Sequence, residues 1–247
     1  MESSRGIAAP AHRRVMIGDV HGHYQTLLAL WDLLDLQESD RVYFLGDLID
    51  RGPDSSQVLH FVKESGHTCL LGNHEHLMLM AFPNGELDCI ALQTWIHCGG
   101  QPTLDNYDNF EDLKVDALWL ETLPLYLDLG DIWLVHAGVN PKLSLAKQTK
   151  EEFCWIRREF HSAAQPYFPD KLIITGHTIT FTLGVPPGQL AQGPGWLDIE
   201  TGAYHSNSGW LTALDYDREQ VYQVNVFSQE SRIRPLTESI TVMKTGA

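Results

Sequence analysis

The residues able to do chemistry in this chain stand where short apolar runs stop. Val15-Met16-Ile17 ends at Gly18-Asp19, with His21 two residues on. Val42-Tyr43-Phe44-Leu45 ends at Gly46-Asp47, with Asp50 and Arg51 close behind. The run His67 to Leu71 ends at Gly72-Asn73-His74-Glu75. Ile132-Trp133-Leu134-Val135 ends at His136, and Lys171 to Thr175 ends at Gly176-His177. Charges gathered at the edge of a core need a partner, usually a metal or a charged ligand. Two carboxylates (Asp19, Asp47), three imidazoles (His21, His136, His177) and the amide oxygen of Asn73 suit a pair of divalent ions of Mn, Fe or Zn type. Two ions about 3.5–4 Å apart need a shared ligand to temper their repulsion, and an aspartate between them can bridge. A lone Gly-Asp is an ordinary turn, and a lone histidine at a strand end is ordinarily structural. Five such ends in one chain are a different matter.

The elements that must position these residues follow from periodicity. Leu27, Leu30, Trp31 and Leu34 recur at helical spacing after the first run, and Val58, Leu59 and Val62 after the second. Pro53 stands where a first helical residue would. Strand–helix alternation of this kind predicts parallel strands and right-handed crossovers. Ligands in open α/β sheets lie beyond the carboxyl ends of the strands. Residues 28 and 26 positions apart (Asp19, Asp47, Asn73) can therefore converge. The stretch 85–122 reads as a helical insert, a candidate lid. The stretch 185–195, with three prolines and three glycines, reads as a loop. Short strands are expected near 196–199, 210–216 and 221–227, the last two joined by a turn at Asp217-Arg218-Glu219. The expected organisation is a flexible leader over 1–13, one domain over 14–227 and a peripheral tail over 228–247.

Composition narrows the class. The chain has 247 residues, 43% of them hydrophobic, enough for a sizeable core. Its formal net charge is −15, which argues against extended nucleic-acid binding or attraction to an acidic membrane. An acidic chain can still bind phosphate where metal ions dominate the local field. No apolar run reaches membrane-spanning length. The four cysteines, Cys69, Cys89, Cys98 and Cys154, show no CxxC spacing, so reduced thiols in a cytoplasmic protein are expected.

Three motifs carry a resemblance. Gly18-Asp19-Val20-His21-Gly22, Gly46-Asp47-Leu48-Ile49-Asp50-Arg51-Gly52 and Gly72-Asn73-His74-Glu75 resemble the signatures of PPP-type phosphoprotein phosphatases, within the calcineurin-like metallophosphoesterases. His136-Ala137-Gly138 and Gly176-His177-Thr178 are similar to the family's two later histidine motifs. The segments Ile199-Glu200-Thr201-Gly202 and Leu211-Thr212-Ala213-Leu214 look like the end of small bacterial and phage serine/threonine phosphatases. The resemblance implies an α/β fold of two mixed β-sheets packed as a sandwich and flanked by helices. It implies a binuclear site: Asp19 and His21 on one ion, Asn73, His136 and His177 on the other, Asp47 bridging. Mn²⁺ is the metal such relatives commonly use.

The implied reaction is hydrolysis of a phosphoester by water made nucleophilic between the two ions. The leaving alkoxide needs a proton, and His74, next to Asn73, suits that acid role. Asp50 is expected to orient His74. Arg51 is expected to clamp the phosphate oxygens, and Asn73 to reach them too. Trp155-Ile156-Arg157 resembles the family's Trp-x-Arg position, which ranks Arg157 ahead of Arg158 as a second clamp. His205, in a polar segment before Trp210, is expected to cap a turn, with contact to substrate as the alternative.

The substrate expected first is a phosphoprotein or phosphopeptide carrying phosphoserine or phosphothreonine, with small phosphoesters also accepted. The rival is symmetrical hydrolysis of diadenosine tetraphosphate, ranked second because such relatives tend to carry a small residue at the Asp50 position. A non-catalytic phosphate-binding module is the alternative of another class. It should have lost a ligand or the acid, and this chain has lost none.

Overall fold

The computed structural model describes residues 12–243. Twelve strands form two six-stranded sheets among these residues. They are β1 (Arg14–Ile17), β2 (Arg41–Phe44), β3 (Thr68–Cys69), β4 (Tyr126–Asp128), β5 (Ile132–Val135), β6 (Leu172–Thr175), β7 (Leu190–Gly193), β8 (Trp196–Asp198), β9 (Trp210–Asp215), β10 (Gln220–Asn225), β11 (Ser231–Pro235) and β12 (Ile240–Val242). The first sheet has the order β11-β10-β9-β1-β2-β3 and the second β12-β7-β8-β6-β5-β4. Within each, a parallel run (β1–β2–β3 at one edge of the first sheet, β5–β6–β8 at the centre of the second) meets antiparallel neighbours. This is the expected pair of mixed sheets.

The unbroken apolar runs follow from burial on both faces of each sheet. Successive side chains point to opposite faces. Met16, Leu45, Leu134 and Ile174 face inward and fill the space between the sheets. Val15, Ile17, Val42 and Phe44 face outward under helices α1 (Tyr24–Leu34) and α2 (Ser55–Ser65). On the second sheet Trp133 and Val135 take the outer side, with Phe153 and Phe160. No helix among the described residues is long and apolar enough to cross a membrane.

Several expectations need correction. Helix α2 begins at Ser55, after Asp54, so Pro53 precedes its first turn rather than opening it. The third strand has only two ladder residues: beyond Cys69 the Leu71 N–H turns to the Pro124 carbonyl, and helix α3 (Asn73–Ala81) opens after Gly72. The expected loop 185–195 contains β7, whose Leu190 and Ala191 are fully buried between β8 and β12. Residues 228–242, expected as a peripheral tail, supply an edge strand to each sheet through β11 and β12. The expected leader lies outside the described residues except at its end. There Arg13 is buried, pairing with Asp40 at 2.5 Å and Asp215 at 3.2 Å and donating to the Leu34 and Asp35 carbonyls.

Candidate metal centre

The five strand ends converge. Asp19 and His21 follow β1, Asp47 follows β2, Asn73 opens α3, His136 follows β5 and His177 follows β6. All six are buried. The turns that deliver them are tight: His21, Asp47, Asp50, Arg51 and His177 have φ between 48° and 73°, a region that non-glycine residues seldom adopt. At two flanking positions only glycine fits. A Cβ on Gly72 would collide with the Asp47 and Glu75 carboxylates, and one on Gly176 with the Asp19 carboxylate.

Asp47 stands between two groups of ligand atoms. Its Oδ2 faces His21 Nε2 at 3.7 Å and His74 Nε2 at 4.0 Å, while Oδ1 faces His136 Nε2 at 3.4 Å. His21, Asp47 and His74 form one cluster with metal-ligand spacing, and Asp47, His136 and His177 the other. Asp19 falls outside both. Its oxygens accept the His177 backbone N–H at 3.1 Å each, and Oδ2 lies 4.0 Å from His21 Nε2.

The donor set fits cations. His136 Nδ1 lies 2.8 Å from the Leu45 carbonyl and therefore carries the hydrogen, which leaves Nε2 as a lone pair 3.0 Å from Asn73 Oδ1. His177 Nε2 faces the Trp155 carbonyl, which leaves Nδ1 as a lone pair 2.6 Å from the same oxygen. His21 Nδ1 is likewise held by the Ile49 carbonyl at 2.9 Å, which leaves Nε2 as a lone pair, here accepting from the Arg51 guanidinium at 2.7 Å. Three acceptors meeting at Asn73 repel one another unless a positive charge lies among them. Burial pushes the pKa values of His21, His136 and His177 down, so these rings stay neutral and able to ligate. Burial also pushes the Asp19 carboxyl well up, as do the charges of Glu200 and Asp47. Such a cluster of acids is relieved by a divalent ion.

Beside this cluster sits an acid–base pair. Asp50 Oδ2 lies 2.6 Å from His74 Nδ1. The helical insert buttresses this pair. Trp95 Nε1–H, from helix α4 (Cys89–Trp95), donates to Asp50 Oδ2 at 2.8 Å. The Thr103 hydroxyl, from helix α5 (Gln101–Leu104), donates to Oδ1 at 2.6 Å. The Gly99 carbonyl accepts the Arg51 N–H. Glu75 has no role in the sequence reading, yet it is central to the geometry. Its carboxylate accepts the backbone N–H groups of Asp47 at 2.8 Å, Leu48 at 2.8 Å and Gly72 at 3.0 Å. Glu75 is the third residue of α3, where a reach back to the helix start is a readable signal.

The mouth of the site is a cavity of 250 Å³ lined by Asp47, Asn73, His177, Arg51 and Arg157 together with an aromatic wall, Phe181, Tyr204 and His205. Arg157 lies on this cavity. Arg158 opens the short helix α8 (Arg158–His161) and lines a separate outer depression that Arg157 also borders, and it does not reach the site cavity. The helix expected around Glu151–Phe160 is broken: helix α6 (Phe110–Leu120) is followed by α7 (Lys150–Trp155), and Ile156 and Arg157 separate α7 from α8. The Arg51 guanidinium stacks 4.0 Å over the Tyr204 ring and donates to His21 Nε2 at 2.7 Å. Tyr204 also meets His21 edge-on at 4.8 Å. Tyr204 and Phe181 carry no signal in the sequence that marks them as site residues. His205 accepts the Asn207 N–H at 3.1 Å, as a turn-capping residue would, but its ring also faces Phe181 at 4.9 Å on the cavity wall.

Two sheets whose strand ends hold two metal-type clusters sharing one aspartate define a metallophosphoesterase architecture. Residues 12–191 match the calcineurin-like phosphoesterase family, and the chain belongs to it. Among curated relatives, the symmetrical bis(5'-nucleosyl)-tetraphosphatase of Nitrosospira multiformis is 35% identical over 133 residues, covering 52% of this chain and 44% of that protein. The protein of the same name from Salmonella paratyphi C is 31% identical over 168 residues, covering 64% and 54%. The chain thus spans about half the length of these relatives. Among solved structures, a putative diadenosine tetraphosphatase superposes with a TM-score of 0.65 at 19% identity, over 87% of this chain and 94% of that one. A serine/threonine phosphatase from Saccharomyces cerevisiae gives 0.59 at 16%, over 92% and 80%. At such identities the structures speak for the fold.

Proposed function

We propose that this metallophosphoesterase hydrolyses symmetrical dinucleoside tetraphosphates, adding water across the central anhydride to release two nucleoside diphosphates. This order reverses the one expected from Asp50. The names of the curated relatives support it, and the observation that carries it is the cavity mouth. Two guanidinium groups suited to a polyphosphate and three aromatic rings suited to a planar base share one cavity.

Asp19, His21 and Asp47 would hold one divalent ion, and Asp47, Asn73, His136 and His177 the other, with Mn²⁺ the first candidate and Fe or Zn the alternatives. Such ions lower the pKa of water and neutralise phosphate charge. The chain's own groups supply the rest. Arg51 and Arg157, from different loops, orient the phosphate oxygens and stabilise charge as it develops. His74 carries the proton for the leaving oxygen on Nε2, and Asp50 holds the ring in that orientation through Nδ1.

One observation favours a second reading, a phosphoprotein or phosphopeptide as partner and substrate. The Asp50–His74 pair is buried, and the carboxylate that holds Nδ1 at 2.6 Å is itself held by Trp95 and Thr103. A serine alkoxide is a far more basic leaving group than a nucleoside diphosphate and gains more from such an acid. The test is metal-loaded protein assayed side by side on diadenosine tetraphosphate and on phosphoserine and phosphothreonine peptides. Higher kcat/KM on the dinucleotide supports the proposal. Higher kcat/KM on the peptides replaces it with the second reading.

A further inference from the structure

Arg157 is held from behind by a pair of residues outside the cavity. It occupies the break between α7 and α8, with φ −130° and ψ −88°, so neither helix fixes its direction. Its Nη1 donates to the His177 carbonyl at 3.1 Å and to Thr178 Oγ1 at 3.3 Å. Among the described residues no carboxylate pairs with it, which leaves its other N–H groups available to an anion. Its own carbonyl accepts two hydrogen bonds from His161, from the backbone N–H at 3.1 Å and from Nδ1 at 2.8 Å. The other ring nitrogen, Nε2, meets Asp198 Oδ2 at 3.0 Å. Asp198 ends β8 and is fully buried, and its Oδ1 accepts the Glu200 N–H at 2.9 Å. The His161 ring is wedged between Phe160 at 5.1 Å and Trp196 at 4.8 Å.

We propose that Asp198 and His161 form a strut that fixes the Arg157 backbone and so aims its guanidinium at bound phosphate. Both are positioning residues, and the proposal rests on the reading of Arg157 as a phosphate clamp. The physical case is one of direction. A buried polar pair is rarely worth more than an apolar pair of the same size, whereas this one places both ring nitrogens on chosen partners. One end is anchored on the rigid sheet and the other on the carbonyl of the arginine that faces the cavity. Supports of this kind hold a binding group within the narrow range of geometry it needs.

The experiment uses the metal-loaded full chain, p-nitrophenyl phosphate as substrate and inorganic phosphate as competitive inhibitor. Arg157→Ala should raise KM and the phosphate inhibition constant by more than about tenfold. His161→Ala should raise both by about tenfold, with a much smaller change in kcat and unchanged metal content. His161→Asn, whose amide can replace Nδ1 on the Arg157 carbonyl but leaves Asp198 without its partner, should recover only part of the loss. His161→Gln should recover none of it. In the Arg157→Ala background, His161→Ala should add nothing. Unaltered phosphate affinity in Arg157→Ala would sink the clamp reading itself. A full effect of Arg157→Ala with no effect of His161→Ala, or with additive effects in the double variant, would overturn the strut alone. Should His161→Ala fold poorly, the contrast between His161→Asn and His161→Gln decides in its place.

Discussion

Asp50 Oδ2 lies 2.6 Å from His74 Nδ1, and both side chains are buried. The carboxylate also accepts hydrogen bonds from Trp95 and Thr103, so it is fixed on three sides. If His74 donates the proton to the leaving group, His74→Asn should lower kcat by about 10²–10⁴-fold on an alkyl phosphate. The loss should be smaller on p-nitrophenyl phosphate, whose leaving group is far less basic. Steady-state rates with metal content measured in parallel check this. Equal losses on the two substrates, or unchanged turnover, would contradict the acid role.

The Glu75 carboxylate ties the loop that carries Asp47 to the start of α3. Replacing it by glutamine leaves one acceptor oxygen for three close donors. A buried N–H left without a partner costs about 1–3 kcal/mol. Glu75→Gln should therefore lower the melting temperature and weaken metal binding together. Calorimetry with metal titration tests the pairing, and a variant that melts lower while binding metal as tightly as before would argue against it.

Gly72→Ala should be more severe than its size suggests. The added methyl meets both the Asp47 and the Glu75 carboxylates, neither of which can move without releasing backbone donors. Loss of metal from an otherwise folded chain, seen by circular dichroism and metal analysis, is the expected result. Full metal content in this variant would show that the loop is looser than the contacts require.

Removing the ions should destabilise the protein most at alkaline pH. Burial and the charge of Asp198 push the Glu200 carboxyl up to about 8, from an ordinary 4.5. A group raised in this way contributes stability that is fully present below 4.5 and is lost as pH rises through about 8. The metal-free protein should thus melt at a lower temperature at pH 8.5 than at pH 7, and added divalent metal should narrow that gap. A metal-free melting temperature that rises over this range would refute the account of the acidic cluster.

The candidate ligands were legible because each announces itself locally, as an apolar run stopped by glycine and a ligand-type side chain. Parallel topology then brings such ends together without any knowledge of the fold's details. What supports them was not legible. Trp95 and Thr103 reach Asp50 across 45 and 53 residues, and nothing near either marks it as a partner. Tyr204 became visible only when its ring was found against Arg51. Arg157 could be ranked over Arg158 only by resemblance, because the helix break that separates their directions depends on packing. The strands β7, β11 and β12 escaped for another reason. β12 has three residues, β11 is polar and half exposed along its length, and β7 lies among prolines and glycines that by themselves read as loop. Pairing with neighbours distant in sequence makes them strands.

Asp47 is the hub of the site, with its two oxygens facing different ligand clusters. The most direct measurement is a crystal structure of the manganese-loaded protein, with the ions located by anomalous scattering. The account predicts two peaks about 3.5–4 Å apart, one beside His21, the other beside His136 and His177, with an Asp47 oxygen on each. A single peak, or two peaks with Asp47 bound to neither or only one, would contradict it.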